Sequence, residues 1–425
     1  MSVLLAVTAA CSGGGGSAGS GASPGGPTTP PTATPVATAT PVGGATATPA
    51  NSSLLLPSGF AASVIASVGS ARELAALPNG DLIVGTSGTT VAIVPDADGP
   101  GAAGTPATFA TINDAPAQGV AFGDGFVFVA TQHGVYRIPY TTGAQSGTPQ
   151  QIAAVRQGSV APNSDGDIHS TSSVTVSGTT LYVGVGSSCN ACTEVDPTRA
   201  TVQRMGIDGS GMTTQATQIR NAMALATDPV TGNVWAGGAG QDDLPEYHPY
   251  EYIDPVSTRS APANYGWPQC EEDHVAYTTG ANCSAEVVPL IEFPAYSTLI
   301  GAAFYPAAQT GAYVFPSAWR GGLFVSAHGS WHTPAGSSVP IDPPHVAFVP
   351  FSGAMPATAV NWSDPTTQWL DFFTGFQTAS GSRIGRTTGV AVGPNGSLFV
   401  ADDQNGVVYR IRPVGTGTQG ARRKR

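Results

Sequence analysis

The chain has 425 residues, of which 10% are charged, and carries a formal net charge of −11 at pH 7. Its one basic cluster is the ARRKR tail at 421–425. An acidic chain without a basic patch elsewhere excludes nucleic acid as the expected partner.

Residues 2–10 (SVLLAVTAA) form a short apolar run that ends in small residues before Cys11. Such a run is too short to span a bilayer and suits the end of a secretion signal. Thr8-Ala9-Ala10-Cys11 resembles a bacterial lipobox, in which the cysteine is lipidated; a chance cysteine in a leader is the alternative. Residues 1–11 thus read as a signal and lipobox segment. Residues 12–53 are mostly Gly, Ser, Ala, Thr and Pro. That composition buries too little apolar surface to offset its ordering entropy, so a flexible tether is expected. Several acyl chains on Cys11 would hold such a tether at the membrane. The expected location is extracytoplasmic and lipid-anchored to the bacterial membrane, the anchor being the only membrane contact.

The folded part is expected over 54–413, with a disordered basic tail over 414–425. PSGFAASVIASV (57–68) reads as an extra strand ahead of the first repeat. One unit then recurs: LPNGDLIVGTSG (77–88), VAFGDGFVFVATQHGVYRIP (120–139), VTVSGTTLYVGVGSS (174–188), LATDPVTGNVWAGG (225–238), GAAFYP with RGGLFVSAHG (301–306 and 321–330), and VAVGPNGSLFVADDQNGVVYRI (390–411). Each copy is an apolar strand, a Gly-bearing turn and a second strand, with no amphipathic helix between copies. Radially repeated sheets follow from that pattern, and six copies predict an all-β, six-bladed propeller with four-stranded antiparallel blades. The extra strand would close the ring by pairing with the last blade. A β-sandwich or parallel β-helix is the alternative, since turn-punctuated strands alone do not fix architecture.

His169 stands alone on a loop ahead of the third unit. An imidazole titrates near neutrality and suits a general base; a loop hydrogen-bonder is the bland alternative. Cys189, Cys192, Cys270 and Cys283 fall in two local pairs, and in an exported chain local disulfides 189–192 and 270–283 are expected. A four-thiolate zinc site and a redox-active CxxC are the alternatives.

The order IHSTSSVTVSGTTLYVGVGSSCNACTEVDP, RNAMALATDPVTGNVWAGGAGQDDLPEY, NYGWPQC, FPSAWRGGLFVSAHGSW and IGRTTGVAVGPNGSLFVADDQNGVVYRI resembles the sorbosone dehydrogenase family. Its relatives are the soluble quinoprotein glucose dehydrogenases and the aldose sugar dehydrogenases. The resemblance covers essentially the whole folded part and implies a six-bladed propeller that carries pyrroloquinoline quinone (PQQ) and calcium. It implies His169 as the base on a sugar hydroxyl, Arg220 and Asn221 as cofactor contacts, with Arg220 also stabilising the reduced quinone, and Arg386 as the holder of a PQQ carboxylate. Gln118 would face the substrate. His328 stands where the glucose dehydrogenases have a PQQ-binding lysine. The main-chain carbonyls of Gly240 and Gln241 would bind calcium, with Asp242 and Asp243 adjacent. Two departures stand out: Ser187 replaces the aspartate that orients the base, which implies a weaker base or one oriented by Asp167 instead, and Ala239 replaces a polar residue beside the calcium carbonyls.

The implied activity is PQQ-dependent oxidation of a sugar, a sorbosone-like aldehyde or a polyol. Electrons would pass to an external acceptor, a cytochrome or quinone, because the chain has no CxxCH haem motif of its own. Two other classes compete. One is a propeller that binds carbohydrate or cell-wall polymer without redox chemistry. The other is a metal-dependent lactonase-like hydrolase, which needs convergent acidic ligands that this sequence does not gather.

Overall fold

The computed structural model describes residues 40–41, 53–156 and 168–414. Cys11 and its lipobox, nearly all of the 12–53 tether, Asp167 and the tail beyond Val414 lie outside the described residues. Six antiparallel sheets follow one another, five built in sequence order from the innermost strand outward and the sixth completed by a strand from the start of the domain. This is the six-bladed propeller that the repeats predict.

The innermost strands are Ala71–Ala76, Gly119–Gly123, Ser172–Ser177, Ala222–Thr227, Leu299–Tyr305 and Thr387–Val392. Each turns back into a second strand: Leu82–Thr86, Phe126–Ala130, Thr180–Val185, Val234–Gly238, Gly322–Ala327 and Leu398–Asp402. These hairpins are the six sequence units. Every blade is covered on both faces by its neighbours, so the second strands are buried along almost their whole length instead of alternating. Six apolar cores result, one at each junction between successive blades.

Closure of the ring is direct. Phe60–Ser67 forms the outer strand of the sixth blade, in antiparallel register with Val407–Pro413 from Phe60↔Pro413 to Ser67↔Val407. It also delivers Phe60 into an aromatic core, with ring centroids 4.7 Å from Phe315 and 5.1 Å from Phe372. Aromatic pairs of this kind contribute about 0.5–1.5 kcal/mol each beyond their burial.

Both expected disulfides are formed, Cys189–Cys192 and Cys270–Cys283. The second lies in a long insertion (255–290) inside blade four, between Glu251–Asp254 and Ile291–Phe293. Reading the repeats alone puts this insertion between blades four and five; the fourth strand of blade four follows it instead. Its Ala263–Asn264 stretch adds a parallel strand to Thr213–Thr217 of blade three, and Trp267 buries itself against Cys189 and Ala200. The insertion therefore ties two blades together.

Replacing Cys270 and Cys283 by Ser removes a short covalent loop, with an expected loss of about 2–4 kcal/mol of unfolding free energy. Urea unfolding measures the loss. Limited proteolysis should show new cleavage confined to 255–290, while the six hairpins stay protected.

Candidate active site

The innermost strands pack side by side with their starts together. At Gly119 an added Cβ would lie 2.5 Å from the Ser172 carbonyl, and at Gly389 it would collide with the Arg72 carbonyl. Glycine is needed there because neighbouring backbones touch at the ring axis. Residues at the inner-strand starts therefore gather at one end of the ring: Arg72, Gln118, His169, Arg220, Asn221 and Arg386. Residues that follow the second strands join them at the same end: Ser187, Gly240, Gln241, His328 and Asp403.

His169 is held by Ser187. Its Nδ1 lies 2.8 Å from the Ser187 hydroxyl and 3.2 Å from the Ser187 carbonyl. That hydroxyl donates its own proton to the Cys189 carbonyl at 2.7 Å, so it accepts from the ring. Both Nδ1 neighbours are then acceptors, which puts a proton on Nδ1. The serine thus keeps the orienting role, without the negative charge a carboxylate would offer to an imidazolium. Behind the loop, buried Arg156 donates to the carbonyls of His169 (2.7 Å) and Thr171 and to the Ser172 hydroxyl (2.6 Å). Asn221 lies alongside: a Cβ built at Gly186 would be 2.6 Å from both the Asn221 Oδ1 and the His169 Cβ. That Oδ1 is buried without a hydrogen-bond partner, a state that costs free energy unless a ligand satisfies it.

Arg220 is buried and surrounded by oxygens. Its Nε donates to the Asn190 carbonyl (3.0 Å), and its Nη1 to the Gly240 carbonyl (2.5 Å). Its Nη2 reaches Asn190 Oδ1 and Asp242 Oδ2, both at 2.9 Å. Asn190 sits inside the Cys189–Cys192 loop and also takes the Trp267 indole N–H at 3.0 Å, so the disulfide helps to position the arginine. Burial raises Glu251 to about 8 and Glu271 to about 7, which leaves Asp242 as the carboxylate paired directly with Arg220. Gln241 points away, donating from its side chain to Glu271 Oε1 (2.8 Å) and the Pro268 carbonyl (3.0 Å).

A second charged group lies across the ring. Asp403 accepts from Arg72 Nη1 (2.7 Å) and from His328 Nε2 (3.0 Å). Burial drives the His328 imidazole down to about 4, so it is neutral near pH 7. It does not replace a lysine's charge; Arg72 brings a cation to the same carboxylate. Burial works to raise Asp403, but its contact with His328 first and that with Arg72 second hold it down at about 2. Arg72 Nε also donates to Gln118 Oε1 (3.2 Å), so Gln118 braces an arginine. Arg386 donates through Nε and Nη2 to the carbonyls of His328 (3.1 Å) and Gly329 (3.0 Å). Arg383 reaches the Ser330 carbonyl and keeps a buried Nη1 without a partner.

Sequence reasoning missed Arg72, Asp403 and Asn190 as members of this constellation, and it placed Asp242 beside the calcium carbonyls and not against Arg220. Repeat phase was the available signal: Arg72 lies at the start of its inner strand, as Arg220 and Arg386 lie just before theirs, and Asp403 follows its second strand as Ser187 and His328 do. Below the site, a chamber of about 380 Å³ runs along the axis between the inner strands. Glu73, raised to about 8 by burial, and Met223 line it, while His169, Arg220, His328 and Arg386 do not. This chamber is therefore distinct from the charged mouth.

No family model matches the chain. Among curated proteins, an uncharacterized protein of Borreliella burgdorferi is 23% identical over 202 residues, spanning 45% of this chain and 47% of that one. Solved structures match far more of it. The holo PQQ domain of a pyranose dehydrogenase from Coprinopsis cinerea superposes with a TM-score of 0.67 at 15% identity, covering 84% of this chain and 97% of that one. A calcium structure of a Trichoderma reesei carbohydrate-active enzyme of family AA12 gives 0.67 at 17% identity, covering 85% and 97%. The PQQ-bound aldose sugar dehydrogenase of Streptomyces coelicolor gives 0.54 at 17% identity, covering 84% and 99%. The chain has the fold of PQQ-dependent sugar dehydrogenases.

His328 provides a check on the site's electrostatics. Its folded pKa of about 4 lies below the ordinary 6.5, so between these values the unfolded chain binds the extra proton. Stability from this group is therefore complete above pH 6.5 and falls as pH drops toward 4. Buried carboxylates such as Glu251 slope the other way, so the readout is the difference between wild type and His328→Asn. That difference should change between pH 4 and 6.5 and be flat above it in denaturant titrations.

Proposed function

We propose that the chain oxidises a sugar or a related polyol or aldehyde with PQQ as the electron acceptor. The observation that carries this reading is the convergence at one mouth of an oriented imidazole and four guanidinium groups, Arg72, Arg220, Arg383 and Arg386. Two carboxylates, Asp403 and Asp242, pair with this set, which leaves positive charge for an anionic ligand. Arg72 Nη2 and Arg386 Nη1 have no protein partner among the described residues. With the unpartnered Arg383 Nη1 and Asn221 Oδ1, these donors and acceptor fit a planar quinone tricarboxylate.

Bound PQQ would supply a quinone carbon that accepts the substrate's hydride. His169 Nε2 would take the hydroxyl proton, so that the substrate C–OH loses a hydride and a proton and becomes a carbonyl. Ser187 holds the Nδ1 proton, so that in the neutral ring Nε2 is the basic nitrogen. Arg386 and Arg72 would bind carboxylates, and Asn221 would order the ligand beside His169. Arg220, clamped by Asn190 and Asp242, contributes a fixed positive charge near the reacting centre.

Calcium stands differently. Oxygens surround the Gly240 turn, with Glu271 Oε2 3.6 Å from a Cβ built on Gly240. Yet the Gly240 carbonyl already accepts Arg220 Nη1, and a dication on that oxygen would face a guanidinium. This arrangement does not offer Gly240 to calcium, and no step here runs through that ion. The two disulfides and the fold of the neighbours support an extracytoplasmic setting, with electrons passing to an external acceptor.

Stopped-flow reduction at saturating PQQ separates the roles. His169→Ala should retain cofactor and slow its reduction by sugar about 10²–10⁴-fold, the range for loss of a general base. Arg386→Ala should instead weaken cofactor uptake. If His169→Ala reduces cofactor at the wild-type rate, the histidine is a loop residue and the reading of the base fails.

A further inference from the structure

Among the described residues two large aromatic side chains remain exposed, Trp331 at 65% and Tyr247 at 49%. Both lie on the mouth side, in the stretches that follow the second strands of neighbouring blades five and four. Trp331 belongs to the segment His328–His332, which crosses from one charged group to the other. Arg386 holds its first two carbonyls and Arg383 holds that of Ser330. At the far end His332 Nε2 is 3.2 Å from Asp242 Oδ1, the carboxylate that also pairs with Arg220.

The indole is fixed in place although it is exposed. Its ring stacks on His332 with centroids 3.8 Å apart and planes at 29°. His332 in turn packs on buried Tyr296 at 4.0 Å. Three rings thus back one another, and the outermost faces solvent. Asp243, Tyr247 and Tyr296 all hold left-handed backbones, with φ of 66°, 72° and 66°. Non-glycine residues in that region cost about 1–3 kcal/mol each and mark segments whose shape is enforced.

We propose that Trp331, backed by His332 and Tyr296, is an aromatic platform for a further saccharide ring, so that the substrate class is an oligosaccharide lying across the mouth. This rests on the sugar-oxidation reading of the site. A pyranose ring has an apolar face of C–H bonds that stacks on the electron-rich face of an indole, while its hydroxyls need acceptors nearby. Asp242 is partly exposed and beside the platform, and Asp243 is next to it. Holding the indole in advance spares the ordering cost of binding. A protein partner fits less well, since stable interfaces bury on the order of 800 Å² per side and need a broad anchor cluster.

Binding is tested on the full chain by calorimetry and saturation-transfer NMR, with glucose, xylose, cellotetraose, maltotetraose and xylotetraose as probes. Wild type should bind at least one tetrasaccharide more tightly than its monosaccharide. Trp331→Ala should weaken that tetrasaccharide about ten-fold or more, a loss typical of a truncated aromatic anchor. Trp331→Phe should recover part of the loss. Equal affinity for chain and monomer in all three series overturns the proposal, as does Trp331→Ala binding that equals wild type. Trp331→Ala that loses only affinity for a basic cytochrome overturns it in favour of a protein-docking site. None of these readouts needs PQQ, so length-dependent binding without cofactor uptake would sink the oxidation reading and leave the platform standing.

Discussion

Everything at the mouth depends on a closed ring, and the ring is closed by one pair of strands. Phe60–Ser67 and Val407–Pro413 come from opposite ends of the folded chain and share the sixth sheet. Without that pairing the sixth blade lacks its outer strand, and the first blade loses the neighbour that buries Leu74 and Val84. The same closure sets Arg72 beside Asp403, residues 331 positions apart in sequence. A six-fold β-ring has no exposed edge at its centre, so its inner strands press backbone to backbone, and side chains from their starts have one direction to go.

The electrostatics of the mouth follow from that crowding. Four arginines at the end of one small ring repel one another, and burial lowers the pKa of Arg220, Arg383 and Arg386. Each is retained because main-chain carbonyls or a carboxylate are fixed within hydrogen-bond reach. Removing one partner of such a buried group generally costs about 3–5 kcal/mol, which is why Asn190 is locked by a disulfide and Asp242 by contacts on both oxygens. The result is a rigid cationic frame whose remaining N–H groups are already aimed, an arrangement suited to a rigid anionic ligand.

Sequence made the scaffold legible because the physics there is local. A hairpin covered on both faces leaves continuous runs such as LIVGT and LFVAD beside a glycine turn, and six of those runs count the blades. The two disulfides were legible for a similar reason, since each joins close neighbours. The insertion was harder to place, because its contact with blade three runs through Ala263–Asn264 and Trp267, which carry no periodic signal. The site was legible in part. His169, Arg220 and Arg386 stood out by resemblance, whereas Arg72 and Asp403 meet only after the ring closes. The neutrality of His328 was hidden as well, since it comes from burial in the closed ring, which outweighs the opposing pull of Asp403 from another blade.

The central claim is that this mouth takes up PQQ. The most direct measurement is an absorbance titration of the purified full chain with PQQ, run with and without added calcium and followed by addition of sugar. The account predicts saturable uptake at one equivalent, a shifted quinone band, and bleaching to the reduced form when a sugar that is a substrate is added. A quinone spectrum that stays that of free PQQ at every protein and calcium concentration would contradict it.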